Sequence, residues 1–552
     1  MARRTWESVG VALGYVAISF GYFGIRVLPD PSRELIGTGA DPQIFVWSFA
    51  WWPHALGNGS NPFVTHAIWA PDGINLAWVT SIPGLAIAYA PLTLTAGAIA
   101  AYNAAAVLAP ALAATTAFLL CRHVTGSFWP SVVGGYLFGF SSYMLGQSLA
   151  HMHMTPVFLV PVAALLVLQY VESSLDARGL TWRLGVLLAI QMWFSTELFF
   201  TLTLALLAGL GLAAATVHSV RPRLRTLVRP VLGAYALATV LTAPLLFYAL
   251  TEVETGSINR PADFGADAVN FLVPTRLIAA GAVWAPPIAA RFGGNDSETT
   301  AYLGLPVVLM IVWYAIGRWR VPGSRFLVLA LVTGAVAALG TSLHVAGREI
   351  TPLPWNLIAR LPIFSHTLPV RFSMYVSLAA AVIVALWMRS AAKPAVVLLP
   401  ALAVLALVPR LDLPLWHFEP VRPAFFTQGL YRDCLKPGES VFTVPWNAAG
   451  NSLLWQVDAD FDIRLPGGYV RPGLPESFTP VKAAWEMHFD AVIPHSPDLQ
   501  DFFQRKNVDR AVVELSLHDA WKGPLEYLGP PSIIGGVAVY PSCGSPRTAS
   551  DG

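Results

Sequence analysis

The sequence predicts a polytopic α-helical membrane protein that ends in a small α/β domain. Three observations carry this. Charged residues make up 12% of the 552 residues, about half the roughly 25% of an ordinary soluble domain. Hydrophobic residues make up 55%, and the mean hydropathy is +0.57. Apolar runs long enough to cross a bilayer recur from residue 8 to residue 409 and then stop. The 19 Trp, 16 Tyr and 29 Phe need burial, which excludes a disordered chain. A net charge of +2 gives no global field suited to nucleic acid. Three cysteines exclude a disulfide-dense secreted scaffold.

A bilayer core of about 30 Å needs roughly 20 mostly apolar residues per helix. The first such run is 8–28. Arg3 and Arg4 precede it and no small-residue cleavage site follows, so it reads as an uncleaved signal anchor with a cytoplasmic N-terminus. Further runs lie at 102–121, 129–147, 155–171, 183–198, 199–217, 230–250, 301–317, 325–343, 371–388 and 394–409, which makes about eleven helices. The stretch 80–98 is apolar but interrupted by Pro83, Gly84, Pro91 and Gly97. If it stays out of the bilayer, the basic connectors all fall on the cytoplasmic side. These carry Arg122 and His123, Arg178 and Arg183, Arg221 to Arg229, Arg318 to Arg325, and Arg389 with Lys393. If it spans, they all flip, against the positive-inside tendency. The segment therefore reads as an outer juxtamembrane or re-entrant element, and the C-terminus as external.

Two regions follow. Residues 1–409 form a transmembrane module whose first outer loop, 29–101, carries juxtamembrane helices. Residues 410–552 form an extracytoplasmic α/β domain, because β-branched and aromatic runs at 441–444, 508–513 and 536–540 alternate with turn clusters such as Pro466-Gly467-Gly468. Cys434 and Cys543 bracket most of it. They either pair in an oxidising compartment or stay as two thiols. Cys121, at a cytoplasmic helix end, reads as an inert apolar residue.

The first outer loop contains Gly37-Thr38-Gly39-Ala40-Asp41-Pro42 and then an aromatic run. Trp47 and Trp51 are four apart and share a helical face, with Phe45, Phe49 and Trp52 on much of the other. Such a helix suits the headgroup level of a bilayer. Packing into a protein core is the alternative. Gly37 and Gly39 free the backbone just before an acidic residue held beside the membrane. Walker A, GxGxxG, HExxH and CxxC patterns are absent.

Several short patterns are shared with a known family. They are Gly39-Ala40-Asp41-Pro42 followed by Trp47 and Ala50-Trp51; Cys121 to Gly126; Phe138-Gly139-Phe140-Ser141 leading to His151-Met152-His153; Glu298 to Gly304; Pro369-Val370-Arg371-Phe372; and, in the tail, Pro466-Gly467-Gly468-Tyr469 and Val537 to Tyr540. Together they resemble the GT-C superfamily of integral-membrane glycosyltransferases, and more closely its YfhO-like bacterial branch. The resemblance implies a multi-pass protein of the bacterial inner membrane. It implies hexosyl or pentosyl transfer from a polyprenyl-phosphate-linked sugar to an envelope glycan, lipid or protein on the outer face. The family often carries a pair of acids in the first loop, which bears on a divalent cation as cofactor. Here Asp41 has no second acid beside it.

Inverting transfer needs a carboxylate to take the acceptor proton, and Asp41 is the candidate; a first-turn aspartate ahead of Pro42 is its plain alternative. Arg371 lies at the outer end of a span and suits a lipid phosphate, or is an interfacial arginine. His151 and His153 could face one phosphate or metal if their turn is extended, and point apart on a helix. Glu197 either faces the same cavity or is solvated. Asp296 and Glu298 read as first-turn acids of the next helix. Two rival classes are a transporter or flippase, and a non-catalytic accessory protein of envelope glycan assembly. The first expects inverted repeats and midplane polar groups, which the sequence lacks; the single acid at Asp41 favours the second.

Overall fold

A computed structural model describes residues 2–252, 261–361, 364–390 and 393–544; the side chains of Arg3, Arg4 and Lys393 lie outside the described set. The chain divides into two compact units. One comprises Met1–Pro29, Asn103–Ala243 and Thr255–His417, and the other comprises Asp30–Tyr102, Pro244–Glu254 and Phe418–Gly552.

The first unit is built from apolar helices. Among the described residues of the whole chain, seven helices are long and apolar enough to cross a membrane: Thr5–Val27, Ala98–Thr125, Met152–Val171, Thr196–Thr216, His218–Leu241, Pro322–Leu339 and Pro369–Ser390. Leu305–Arg318 and Pro394–Ala406 are shorter apolar helices. The run read as a span at 129–147 is broken into Phe128–Gly139 and Ser142–Ala150. Ser141 turns to extended backbone there, and its hydroxyl accepts from Met144 N–H, which caps the second piece. The boundary between the next spans falls at Ser195, which caps Leu198 N–H in the same way. The run 230–250 divides at Thr242, before Pro244.

Thirteen of the eighteen residues of helix Ser373–Ser390 are buried, which marks it as the centre of this unit. Small residues let its neighbours approach closely. A Cβ on Gly134 would stand 2.6 Å from Cys121 Sγ and 3.2 Å from Ala381 O, and one on Gly139 would stand 2.5 Å from Ala114 N.

The stretch 80–98 does not form one long helix. It folds as Pro83–Ala88 and Ala90–Ala96, six and seven residues long. At 1.5 Å per residue each is only about 10 Å long, far short of a bilayer core.

In the second unit the tail forms a five-stranded mixed sheet. Its strands are β1 (Glu439–Val444), β2 (Ile463–Arg464), β3 (Arg510–Glu514), β4 (Ser532–Ile534) and β5 (Val537–Tyr540), in the order β4-β5-β3-β1-β2. β1 runs parallel to β2 and β3, with Val441 opposite Arg510; β5 runs antiparallel to β3, with Val539 opposite Val512. Every residue of β1 is buried, as expected of a central strand covered on both faces. The buried Glu439 carboxylate accepts from Arg510 Nε at 3.0 Å, so neither charge is left unpaired. Phe442 packs against Phe502 and Phe503 of helix Ser496–Arg505 and against Trp521.

The first outer loop belongs to this same unit rather than to the helical one, which moves the expected domain boundary. The aromatic helix Asp41–Gly57 explains why. Trp47 and Trp52 are buried, and all three indole N–H groups are satisfied inside the unit: Trp47 by Gln456 Oε1 at 2.7 Å, Trp51 by Pro62 O at 3.0 Å and Trp52 by Ser81 O at 2.9 Å. The helix is therefore a core helix, not a headgroup-level one. Gln43 Nε2 donates to Gly450 O at 2.7 Å, and the buried Lys506 reaches Asp72 at 2.7 Å.

Cys434 and Cys543 form a disulfide, with Cα atoms 4.7 Å apart and a sequence separation of 109. Closing so long a loop restricts the unfolded chain by about 3–5 kcal/mol. The double variant Cys434→Ser, Cys543→Ser is therefore expected to be cleaved faster by protease within 418–544, while fragments of the helical unit keep their lifetime. Equal cleavage rates in the tail would remove the disulfide from the stability of this unit.

Candidate active site

Two groups of predicted residues are positioned by the structure, one in each unit. In the second unit, Gly37 and Gly39 adopt positive φ (104° and 82°) and turn the chain into helix Asp41–Gly57. Asp41 is the first residue of that helix. Ala40 is the cap and makes no side-chain bond, so Asp41 is not an N-cap. Its charge is favoured at the helix N-terminus. The side chain is half-buried, and two tyrosines face it. Tyr102, whose hydroxyl donates to Ile36 O at 2.9 Å, lies within electrostatic reach. Tyr469 also lies beside Asp41. Burial first, and then the Asp41 carboxylate, push the Tyr469 phenol well above its usual value. It therefore stays protonated at neutral pH.

Nearby in the tail, Asn447 Oδ1 accepts from Gly468 N–H at 3.3 Å, so its Nδ2 is the donor to His488 Nδ1 at 2.7 Å. His488 Nε2 then carries the proton and donates to Pro472 O at 2.7 Å. Burial lowers the His488 pKa, which suits the neutral ring that this network requires.

The first unit brings together residues that the sequence scatters over more than 220 positions. Arg371 sits in the turn Pro369–Phe372, and its side chain is only 7% exposed. Its Nε donates to Glu298 Oε1 at 3.1 Å, its Nη2 also meets Glu298, and its Nη1 meets Glu197. His151 Nδ1 lies 3.2 Å from Glu298 Oε1 and 2.9 Å from Gln147 Oε1; both are acceptors, so Nδ1 carries the proton. Gln147 Nε2 in turn donates to Ser297 O at 2.7 Å.

This geometry corrects two expectations. Glu197 is not freely solvated; it is half-buried, with its side chain 19% exposed, and is paired with Arg371. Arg371 is not an open phosphate contact, because two carboxylates occupy its donors and give the three groups a formal charge of −1. An incoming phosphate would have to displace the Glu197 carboxylate to reach Nη1. The rings of His151 and His153 lie 5.8 Å apart, inclined by 65°, and His153 sits in the short turn Met152–Met154. Among the described residues no group of three or more His, Cys, Asp or Glu side chains has the geometry to hold a metal. Glu298 is the residue the sequence reading missed. Its place just before a helix reads as a first-turn acid, and only burial beside Arg371 reveals its partner.

Residues 11–408 match the family described as Domain of unknown function (DUF6311). The chain belongs to this family. No curated protein matches it. Among solved structures it is similar to the archaeal oligosaccharyltransferase AglB from Archaeoglobus fulgidus in complex with an inhibitory peptide and a dolichol-phosphate. The TM-score is 0.53 at 12% identity, over 95% of this chain and 71% of that one. A complex of the Archaeoglobus fulgidus oligosaccharyltransferase with Zn and sulfate gives 0.53 at 16%, over 96% and 73%. The arabinofuranosyltransferase AftD from Mycobacteria gives 0.58 at 13%, over 98% of this chain and 40% of that one. The DUF6311 chain thus has the fold of the GT-C membrane glycosyltransferases, and with its apolar helices it is a membrane protein.

Removing Arg371 would leave the buried Glu298 and the half-buried Glu197 without their cation. Breaking a buried pair in this way costs about 3–5 kcal/mol. Arg371→Met should lower the thermal stability of the detergent-solubilised protein, and adding Glu298→Gln should restore part of the loss. An Arg371→Met variant as stable as the parent would show that the cluster contributes nothing to folding.

Proposed function

We propose that this chain is a membrane glycosyltransferase that moves a sugar from a polyprenyl-phosphate donor to a hydroxyl on an envelope glycan, lipid or protein. The observation that carries the reading is the placement of Asp41. It is a half-buried carboxylate at the first turn of the helix that follows the first apolar span, in a fold similar to that of AglB and AftD. The AglB structure was solved with dolichol-phosphate, a lipid phosphate of the proposed donor class.

In the reaction, Asp41 accepts the proton of the acceptor hydroxyl as its oxygen attacks the anomeric carbon. The bond from that carbon to the phosphate oxygen breaks, and polyprenyl phosphate leaves with the electron pair. A desolvated carboxylate is a stronger base than one in water, which suits a site at the membrane edge.

Orientation follows from the same reading. Asp41 and the tail belong to one compact unit, so they share a compartment. We place both on the outer face of a bacterial inner membrane, with about eleven spans, a cytoplasmic N-terminus and an extracytoplasmic tail. The kinship with the YfhO-like branch is part of this proposal.

Two measurements test it. Purified protein given a radiolabelled polyprenyl-phosphate sugar and membrane acceptors should transfer label, and Asp41→Asn should lower the rate at least about 100-fold without loss of folded protein. Full activity in that variant removes Asp41 from the chemistry, and no transfer by the parent favours the accessory role. Single cysteines introduced near position 41 and beyond 420 should both react with an impermeant thiol reagent added to intact cells. Protection of either would overturn the orientation.

A further inference from the structure

The first span carries an apolar groove along one side and a cation at the groove's end, both within the first unit. The groove has a volume of about 500 Å³. It is lined by Tyr15, Gly21 and Tyr22 of the first span, by Tyr136 of helix Phe128–Gly139, and by Val404 and Leu411. The span passes from α-helix to a π-turn at Phe20–Gly24, a distortion that often marks functional sites. A Cβ on Gly21 would meet nothing within 4 Å, so this glycine leaves the groove open.

Arg26 stands one helical turn beyond Tyr22. Its Nη1 donates to Tyr22 O at 2.9 Å and its Nη2 to Leu411 O at 2.9 Å. Both residues line the groove, so the guanidinium is fastened at its end. Among the described residues no carboxylate pairs with Arg26, and these two bonds use only two of its five N–H donors. A cation fixed at the end of an apolar span without an anion of its own invites one from outside the chain. The hydroxyls of Tyr22 and Tyr136 share one hydrogen bond at 2.9 Å. Two hydroxyls sharing one bond leave one O–H to donate to a ligand.

We infer that this groove seats one chain of a lipid whose phosphate-bearing headgroup pairs with Arg26. Size favours a lipid chain over the helix of a partner protein. Two turns of helix, about 10 Å across and about 11 Å long, fill roughly 850 Å³, well beyond the groove. Charge favours an anionic headgroup, because a guanidinium matches phosphate oxygens and this one has donors to spare. The phenol pair, one turn from Arg26, offers its remaining O–H to an ester oxygen next to the phosphate. A glycerophospholipid and a polyprenyl phosphate share this chemistry, and the test separates them. The inference concerns lipid binding alone and stands apart from Asp41 and from sugar transfer.

The test measures the first lipid bound. Delipidated full-length protein in detergent is titrated with phosphatidylglycerol, with a polyprenyl phosphate and with diacylglycerol, and native mass spectrometry reads the affinity of the first equivalent. At least one of the phosphate lipids should bind about 10-fold tighter than diacylglycerol. Arg26→Gln should lose that factor, whereas Arg26→Lys, which keeps the charge, should retain most of it. Gly21→Phe places a ring where a Cβ has open space and should weaken the first equivalent of every lipid about 10-fold. Tighter binding of one phosphate lipid names the source, and equal binding means that the site accepts either. Diacylglycerol binding as tightly as both phosphate lipids overturns the proposal. So does a first equivalent unchanged in Gly21→Phe. An Arg26→Lys variant as weak as Arg26→Gln would show that the guanidinium serves its two carbonyls alone, and that result overturns the proposal too.

Discussion

The hydrogen bond from Trp47 Nε1 to Gln456 Oε1 joins residues 409 positions apart, and both side chains are fully buried. A buried indole N–H without a partner costs about 1–3 kcal/mol, so the aromatic helix of the first loop is stable where it lies only because the tail supplies an acceptor. Gln456 is equally committed, since its Nε2 donates to Ala67 O and Ile463 O. One glutamine thus ties the helix that begins with Asp41 to the loop at 67 and to the edge of the tail sheet. The position of Asp41, the pairing of 465–468 with 67–70 and the approach of Tyr469 all follow from that closure.

The buried charges obey a second constraint. Arg371, Glu197, Glu298 and His151 sit where an isolated ion would be costly, and each has a partner of opposite or accepting character. The guanidinium fork can serve two carboxylates at once, which a lysine could not do with the same geometry. The cluster therefore gathers four separate chain segments at helix ends of the first unit. Its formal charge is what distinguishes it from a phosphate site: two acids on one arginine repel an anion rather than attract it.

Much of the fold was legible from hydropathy. The apolar runs became helices, because length and composition alone decide whether a helix can reside in a bilayer. The interrupted stretch 80–98 was legible too, since its prolines and glycines limit helix length. Breaks inside apolar runs were not. Ser141 and Ser195 end helices by capping, a local competition that a hydropathy window averages away. Nor was the fate of the aromatic helix: Trp suits both a membrane interface and a core, and only the distant acceptors decide between them.

The candidate sites divide in the same way. By itself the sequence determined that Asp41 stands alone as an acid at a helix start after two flexible glycines, and that a glycine-rich turn in the tail ends on Tyr469, because chain-local geometry depends on residue type. Only the tertiary structure decided that Tyr469 lies beside Asp41, that Glu298 and Glu197 close over Arg371, and that Cys434 meets Cys543. Those contacts join segments tens to hundreds of residues apart, and no short window of sequence carries the packing that selects one partner among many.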